Sequence, residues 1–77
     1  MSVSIEVRRI RQLALLTQKD FAQKLDVSFS TVNRWENGKG KPSMTAMKSL
    51  KSFCEQHDIS YKGLCDAWCD YPEKTAL

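Results

Sequence analysis

The stretch that most constrains this chain is Leu16 to Ser43, LTQKDFAQKLDVSFSTVNRWENGKGKPS. Its apolar spacing reads as two short helices with only Asp26-Val27-Ser28 between them, followed by a glycine stop and a basic loop. Helices joined that tightly must share a small wedge of core. Leu25, Val27 and Val32 are the residues that fill it. Ala22 falls where the two helices cross, and a larger side chain there would push them apart.

Seventy-seven residues make one domain. A chain of this size buries only roughly 60% of its unfolded surface, so its stability margin is small. Apolar residues make up 42% of the chain, too many for a disordered tail. The net charge of +3 matters for where it sits. Residues 1–41 carry eight basic and four acidic side chains, a surplus of four, whereas residues 42–77 carry four basic and five acidic. The positive field therefore lies on the half that holds the paired helices. No apolar run approaches the ~18 residues of a membrane span, and no basic-then-apolar leader is present. With an odd number of cysteines, three, a reducing cytoplasm is the expected compartment.

Five helices are expected, and no strand-like alternation, repeat or low-complexity segment interrupts them. The first runs from about Ser4 to Leu15, with Ile5, Val7, Ile10, Leu13 and Ala14 toward a core and Arg8, Arg9 and Gln12 on other faces. The second starts after Thr17, whose hydroxyl caps the first turn while Asp20 completes a capping-box pattern. Phe21, Ala22 and Leu25 face inward. The third runs from Phe29 to Glu36 behind the cap Ser28, buries Val32 and Trp35, and stops at Asn37-Gly38. Trp35 reads as core rather than as a platform for stacking bases. The fourth spans about Met44 to His57 behind Ser43, with Met47, Leu50, Phe53 and Cys54 on one face. The fifth spans about Tyr61 to Cys69, with Leu64 and Trp68 four residues apart. Residues 1–70 form the domain, and 71–77 read as a frayed tail.

Two helices at this spacing are the sequence form of a helix-turn-helix, which lays its second helix in the major groove of DNA. The residues carrying the pattern are Leu16-Thr17-Gln18, Phe21-Ala22, Leu25, Val27-Ser28, Val32, Trp35-Glu36-Asn37-Gly38 and Lys41-Pro42-Ser43. Over about Ile5 to Trp68 the chain resembles the phage repressor and Cro family, the XRE type. The resemblance implies an all-α, lambda-repressor-like bundle of five short helices. It departs from the family at Asp26, where glycine is usual. Asp tolerates left-handed dihedrals better than most residues, so the turn survives with some strain.

The resemblance also assigns roles. Phe29, Ser30 and Arg34 match positions that touch base edges, and Asn33 flanks them. An arginine can donate twice to guanine, and a phenylalanine can rest on a thymine methyl. Gln18, at the start of the second helix, matches a phosphate-gripping glutamine, and a helix start favours an anion on physical grounds as well. Asn37, Lys39 and Lys41 lie in the loop that similar proteins set against the second phosphate strand. Ser28 and Thr31 join this phosphate set. Arg11 and Glu36 match a partly buried, purely structural salt bridge of the family.

Double-stranded DNA is the expected partner. One such domain reads few base pairs, so a homodimer on a palindrome is expected, with Leu64, Trp68 and Tyr71 as contacts wherever they are left exposed. Otherwise those three simply close the monomer core. The competing chemistry is a C-x2-H-x7-C-x3-C string, Cys54, His57, Cys65 and Cys69. Its spacing is not that of a familiar zinc finger or knuckle, and cysteine is often a small buried hydrophobe, so no metal is assigned. A single histidine and turn-bound glycines give no basis for catalysis, a cofactor or a small-molecule substrate. A transcriptional regulator, most simply a repressor, is the leading expectation. The alternative is a protein-interaction module, either an antitoxin-like partner or the N-terminal part of a larger regulator.

Overall fold

The computed structural model describes residues 2–71, in five helices with no strand among them. These are α1 Val3–Leu13, α2 Gln18–Leu25, α3 Phe29–Glu36, α4 Met44–Gln56 and α5 Lys62–Cys69. Of the expected tail, 71–77, Tyr71 is half-buried against the core, and residues 72–77 lie outside the described residues. No helix among the described residues is long and apolar enough to cross a membrane.

Local chemistry sets the helix starts. The hydroxyls of Ser2, Thr17, Ser28 and Ser43 accept from the N–H groups of Ile5, Asp20, Thr31 and Ala46 at 3.1–3.2 Å. Each satisfies one amide that a helix start would otherwise leave unpaired. Only α5 lacks such a cap; it begins after Tyr61 with no side-chain hydrogen bond.

Four of the five helices end with one device. Leu15, Asp26, Gly38 and Asp58 all take left-handed backbone angles, with φ between 56° and 73°. The next residue, Leu16, Val27, Lys39 or Ile59, sends its N–H back to a carbonyl five residues earlier, at 2.8–3.2 Å. This closure satisfies orphan carbonyls and turns the chain sharply. At three of the four ends the residue after the turn is apolar and packs on the core. Asp26 adopts the strained turn where glycine was expected from the family pattern, with φ 60° and ψ 43°.

The core gathers Val7, Ile10, Phe21, Val32, Leu50 and Leu64, all fully buried, with Trp35, Met47, Phe53 and Cys54 around them. The Phe21 and Phe53 rings meet edge to face at 5.2 Å, a favoured aromatic geometry. α1 packs against α3 and α5, and α2 against α3 and α4. α3 is thus braced by α1 and α2, which leaves its remaining face open.

The inward face of α1 differs from expectation. Ile5 and Leu13 are 62% and 58% exposed, while Val3 and Glu6 are buried with Val7 and Ile10. The Ser2 cap starts the helix one residue earlier, and Val3, Val7, Ile10 and Ala14 then form the stripe at spacings of four, three and four. Ile5 and Leu13 fall off that stripe. Glu6 tolerates burial because Arg9 Nε donates to its Oε1 at 3.0 Å. The helix also stops at Leu13, because Leu15 is in the left-handed turn and 91% exposed.

Candidate nucleic-acid interface

The end of α3 is held by a buried carboxylate. Glu36 is 3% exposed. Arg11 grips it with two parallel hydrogen bonds, Nε to Oε2 at 2.7 Å and Nη2 to Oε1 at 2.9 Å. A third donor, Gln18 Nε2, reaches Oε1 at 3.0 Å. Arg11 also donates from Nη1 to the Leu16 carbonyl at 3.0 Å. Glu36 of α3, with Arg11 as the link, therefore ties together the last turn of α1, the α1–α2 turn and the first residue of α2. Burial alone would raise the Glu36 pKa, but the hydrogen bonds from Arg11 and Gln18 and the charges of Arg11 and Arg8 outweigh it, and the net shift is downward. The bond to Glu36 moves Arg11 the other way, upward.

Arg8 belongs to this cluster, contrary to the expectation that it lies on another face of α1. Its Nη2 donates to the Glu36 carbonyl at 3.0 Å and its Nε lies 3.5 Å from Oε1. The signal was present in the spacing: Arg8 precedes Arg11 by three residues, which puts both on one side of a helix.

The open face of α3 carries the residues assigned to base edges. Phe29 is 51% exposed; Ser30 and Arg34 are exposed, and Asn33 is half-buried. Several are already engaged within the protein. The Asn37 amide donates to the Asn33 side-chain oxygen. Arg34 Nη2 donates to the Lys39 carbonyl at 3.1 Å. The Ser28 hydroxyl is used as the cap and pairs with the Thr31 hydroxyl at 2.8 Å.

The residues assigned to phosphates are placed less uniformly. The Gln18 amide nitrogen spends one N–H on Glu36 and keeps a second. Asn37 and Lys39 are exposed in the loop after α3. Lys41 is half-buried instead, its Nζ 4.5 Å above the centre of the Trp68 ring and 5.6 Å from that of Tyr71. Trp68 in turn donates from Nε1 to the Pro42 carbonyl at 2.6 Å. The basic loop is therefore stitched to α5 at one end and to α3 at the other.

A family model described as helix-turn-helix matches residues 7–55, which takes in most of α1, the α2–α3 pair, the basic loop and most of α4. The chain belongs to the XRE-type helix-turn-helix family. Every residue of the α3 face and of the Glu36 cluster lies inside the matched region. The helix-turn-helix chain is also 34% identical over 53 residues to the HTH-type transcriptional activator BcrR of Enterococcus faecalis. That alignment covers 69% of this chain and 26% of the relative, so the chain spans about a quarter of the curated protein it matches. No solved structure matches this helix-turn-helix chain significantly.

The proposed dimer contacts of the helix-turn-helix chain are largely consumed by the monomer. Leu64 is 0% exposed, and Trp68 is half-buried with its indole N–H committed to Pro42. The cysteines likewise divide by environment. Cys54 is buried in the core, and burial pushes its thiol up to about 11, so it serves as a small apolar side chain. Cys65 is half-buried and Cys69 exposed. Among the described residues, no three His, Cys, Asp or Glu side chains converge in a way that would hold a metal ion.

Proposed function

We propose that this chain is a sequence-specific DNA-binding transcription regulator that reads the major groove with α3. The observation that carries the proposal is the outward presentation of Phe29, Ser30 and Arg34 on a helix whose far end is fixed by Glu36. Base edges are read by side chains that project from a rigid element into the groove. Arg11 and Gln18 supply that rigidity. The surplus of basic residues in the first half supports attraction to the duplex, and Lys39, Asn37 and the α2 start at Gln18 are suited to the phosphates on either side.

A DNA-reading domain acts most simply by occupying its site and blocking transcription, so repression is the proposed mode. Two copies on a two-fold symmetric site, with centres about 34 Å apart, would give useful specificity. Their contact would use surfaces other than Leu64. The proposed compartment is the cytoplasm, and no catalytic role is proposed.

A second reading, a protein-docking module, is favoured by one feature. Ile5 and Leu13 are exposed on α1, along a shallow groove of about 370 Å³ that Arg8, Arg9 and Gln12 also line. Selection of bound duplexes from a random DNA pool separates the two readings. A recovered motif, with two-fold symmetry if pairs act together, supports the first. Recovery no better than the starting pool at low salt favours the second.

A further inference from the structure

We infer that Gly40 is a specificity-determining residue that acts by seating the Arg34 guanidinium against the loop after α3. This rests on the DNA-reading function proposed above. Arg34 Nη2 donates to the Lys39 carbonyl at 3.1 Å. The Lys39 N–H returns to the Arg34 carbonyl at 3.0 Å, so the two residues are joined through backbone and side chain. A Cβ built on Gly40 would stand 3.0 Å from Arg34 Nη2 and 3.9 Å from Cζ. Positive φ among the described glycines occurs at Gly38 alone. The backbone at position 40 therefore makes no demand for glycine, and the space taken by the arginine does.

The consequence is for reading rather than for folding. An exposed arginine has many rotamers, and fixing it on DNA costs conformational entropy. A guanidinium already held by a carbonyl has less to lose on binding. It still keeps four of its five N–H donors, enough for a two-pronged bond to guanine. A side chain at position 40 meets only the flexible tip of Arg34, which moves aside with little strain on the fold. It thus displaces the reading group while sparing the core and the phosphate contacts.

The test compares wild type, Gly40→Ala and Gly40→Val on the duplex selected by the wild type and on random duplex of equal length. The expected result is a loss of about three- to ten-fold in the cognate-to-random ratio, larger for valine, with random-DNA affinity and Tm unchanged. The loss should fall at the base position that Arg34→Ala relaxes, and should vanish in the Arg34→Ala background. An unchanged ratio, an equal loss on both duplexes, or a loss that persists without Arg34 overturns the inference. NMR on the free protein checks the latch without DNA. Rotation of the Arg34 guanidinium should be slower in wild type than in Gly40→Val, and equal rates overturn the latch. A wild type without any sequence preference defeats the DNA-reading function itself, and the NMR comparison then decides the latch alone.

Discussion

Gln18 Nε2 donates to Glu36 Oε1 at 3.0 Å, so the first residue of α2 is fastened to the last residue of α3. The angle between the two helices is thereby held at both ends, by the short Asp26-Val27-Ser28 turn and by this bond. Arg11 completes the fastening from α1. A helix only eight residues long has little stability of its own, so its direction in space is owed to these neighbours.

Breaking that fastening should cost the fold heavily. Glu36→Ala leaves Arg11, whose side chain is 16% exposed, with a poorly solvated charge and no carboxylate to balance it. The expected loss is about 2–4 kcal/mol, a large share of the stability of a small domain. Arg8→Ala removes only a half-exposed partner and should cost under about 1 kcal/mol. Urea unfolding of the two variants measures the contrast. Equal losses would mean that Arg8, and not Arg11, carries the stabilisation at Glu36.

Acid should act through the same carboxylate. The Glu36 pKa is lowered in the folded protein from its ordinary value of 4.5. The charged form is therefore favoured by folding, and its contribution is complete above that value. It is lost as pH falls from 4.5 through the depressed folded pKa. Thermal unfolding between neutral pH and strong acid should show Tm falling in that window. In Glu36→Gln the fall should be shallower, and an identical pH profile would assign acid sensitivity to other carboxylates.

The α1–α2 turn carries removable strain. Leu15 holds φ 60° with its side chain 91% exposed. A branched side chain in the left-handed region is strained by about 1–2 kcal/mol. Leu15→Gly should raise stability by about 0.5–1 kcal/mol, after the greater freedom of glycine in the unfolded chain is deducted. Differential scanning calorimetry reads this as a higher Tm. A lower Tm would show that Leu15 makes a contact the fold depends on.

Much of this architecture was readable because it is governed locally. A hydroxyl three residues before a free amide announces a helix start, which is why Thr17, Ser28 and Ser43 were identifiable and α3 could be bounded at Phe29 and Glu36. The inward face of α1 was not, because its apolar residues fit two stripes and the choice depended on the Ser2 cap. Arg8 shares a side of α1 with Arg11, but its reach to the Glu36 carbonyl follows only from the packing of α1 on α3. The seating of Lys41 over Trp68 depends on where the loop is drawn by α5. No short window of sequence contains that information.

The reading and gripping roles should separate by mutation. Arg34→Ala should cost about 1–3 kcal/mol on the selected site and relax preference at one base position. Lys39→Ala should weaken cognate and random DNA alike and lower the salt slope by about 0.9. Binding titrations from low to moderate salt distinguish the two patterns. Equal losses on both duplexes for Arg34→Ala would place that side chain on phosphate.

The most direct test of the central claim is amide chemical-shift mapping of the protein against the duplex it selects. The largest changes are expected from Phe29 to Arg34, with a second group at Gln18 and at Asn37 to Lys39. Changes centred instead on Ile5 and Leu13 of α1, with α3 undisturbed, would contradict it.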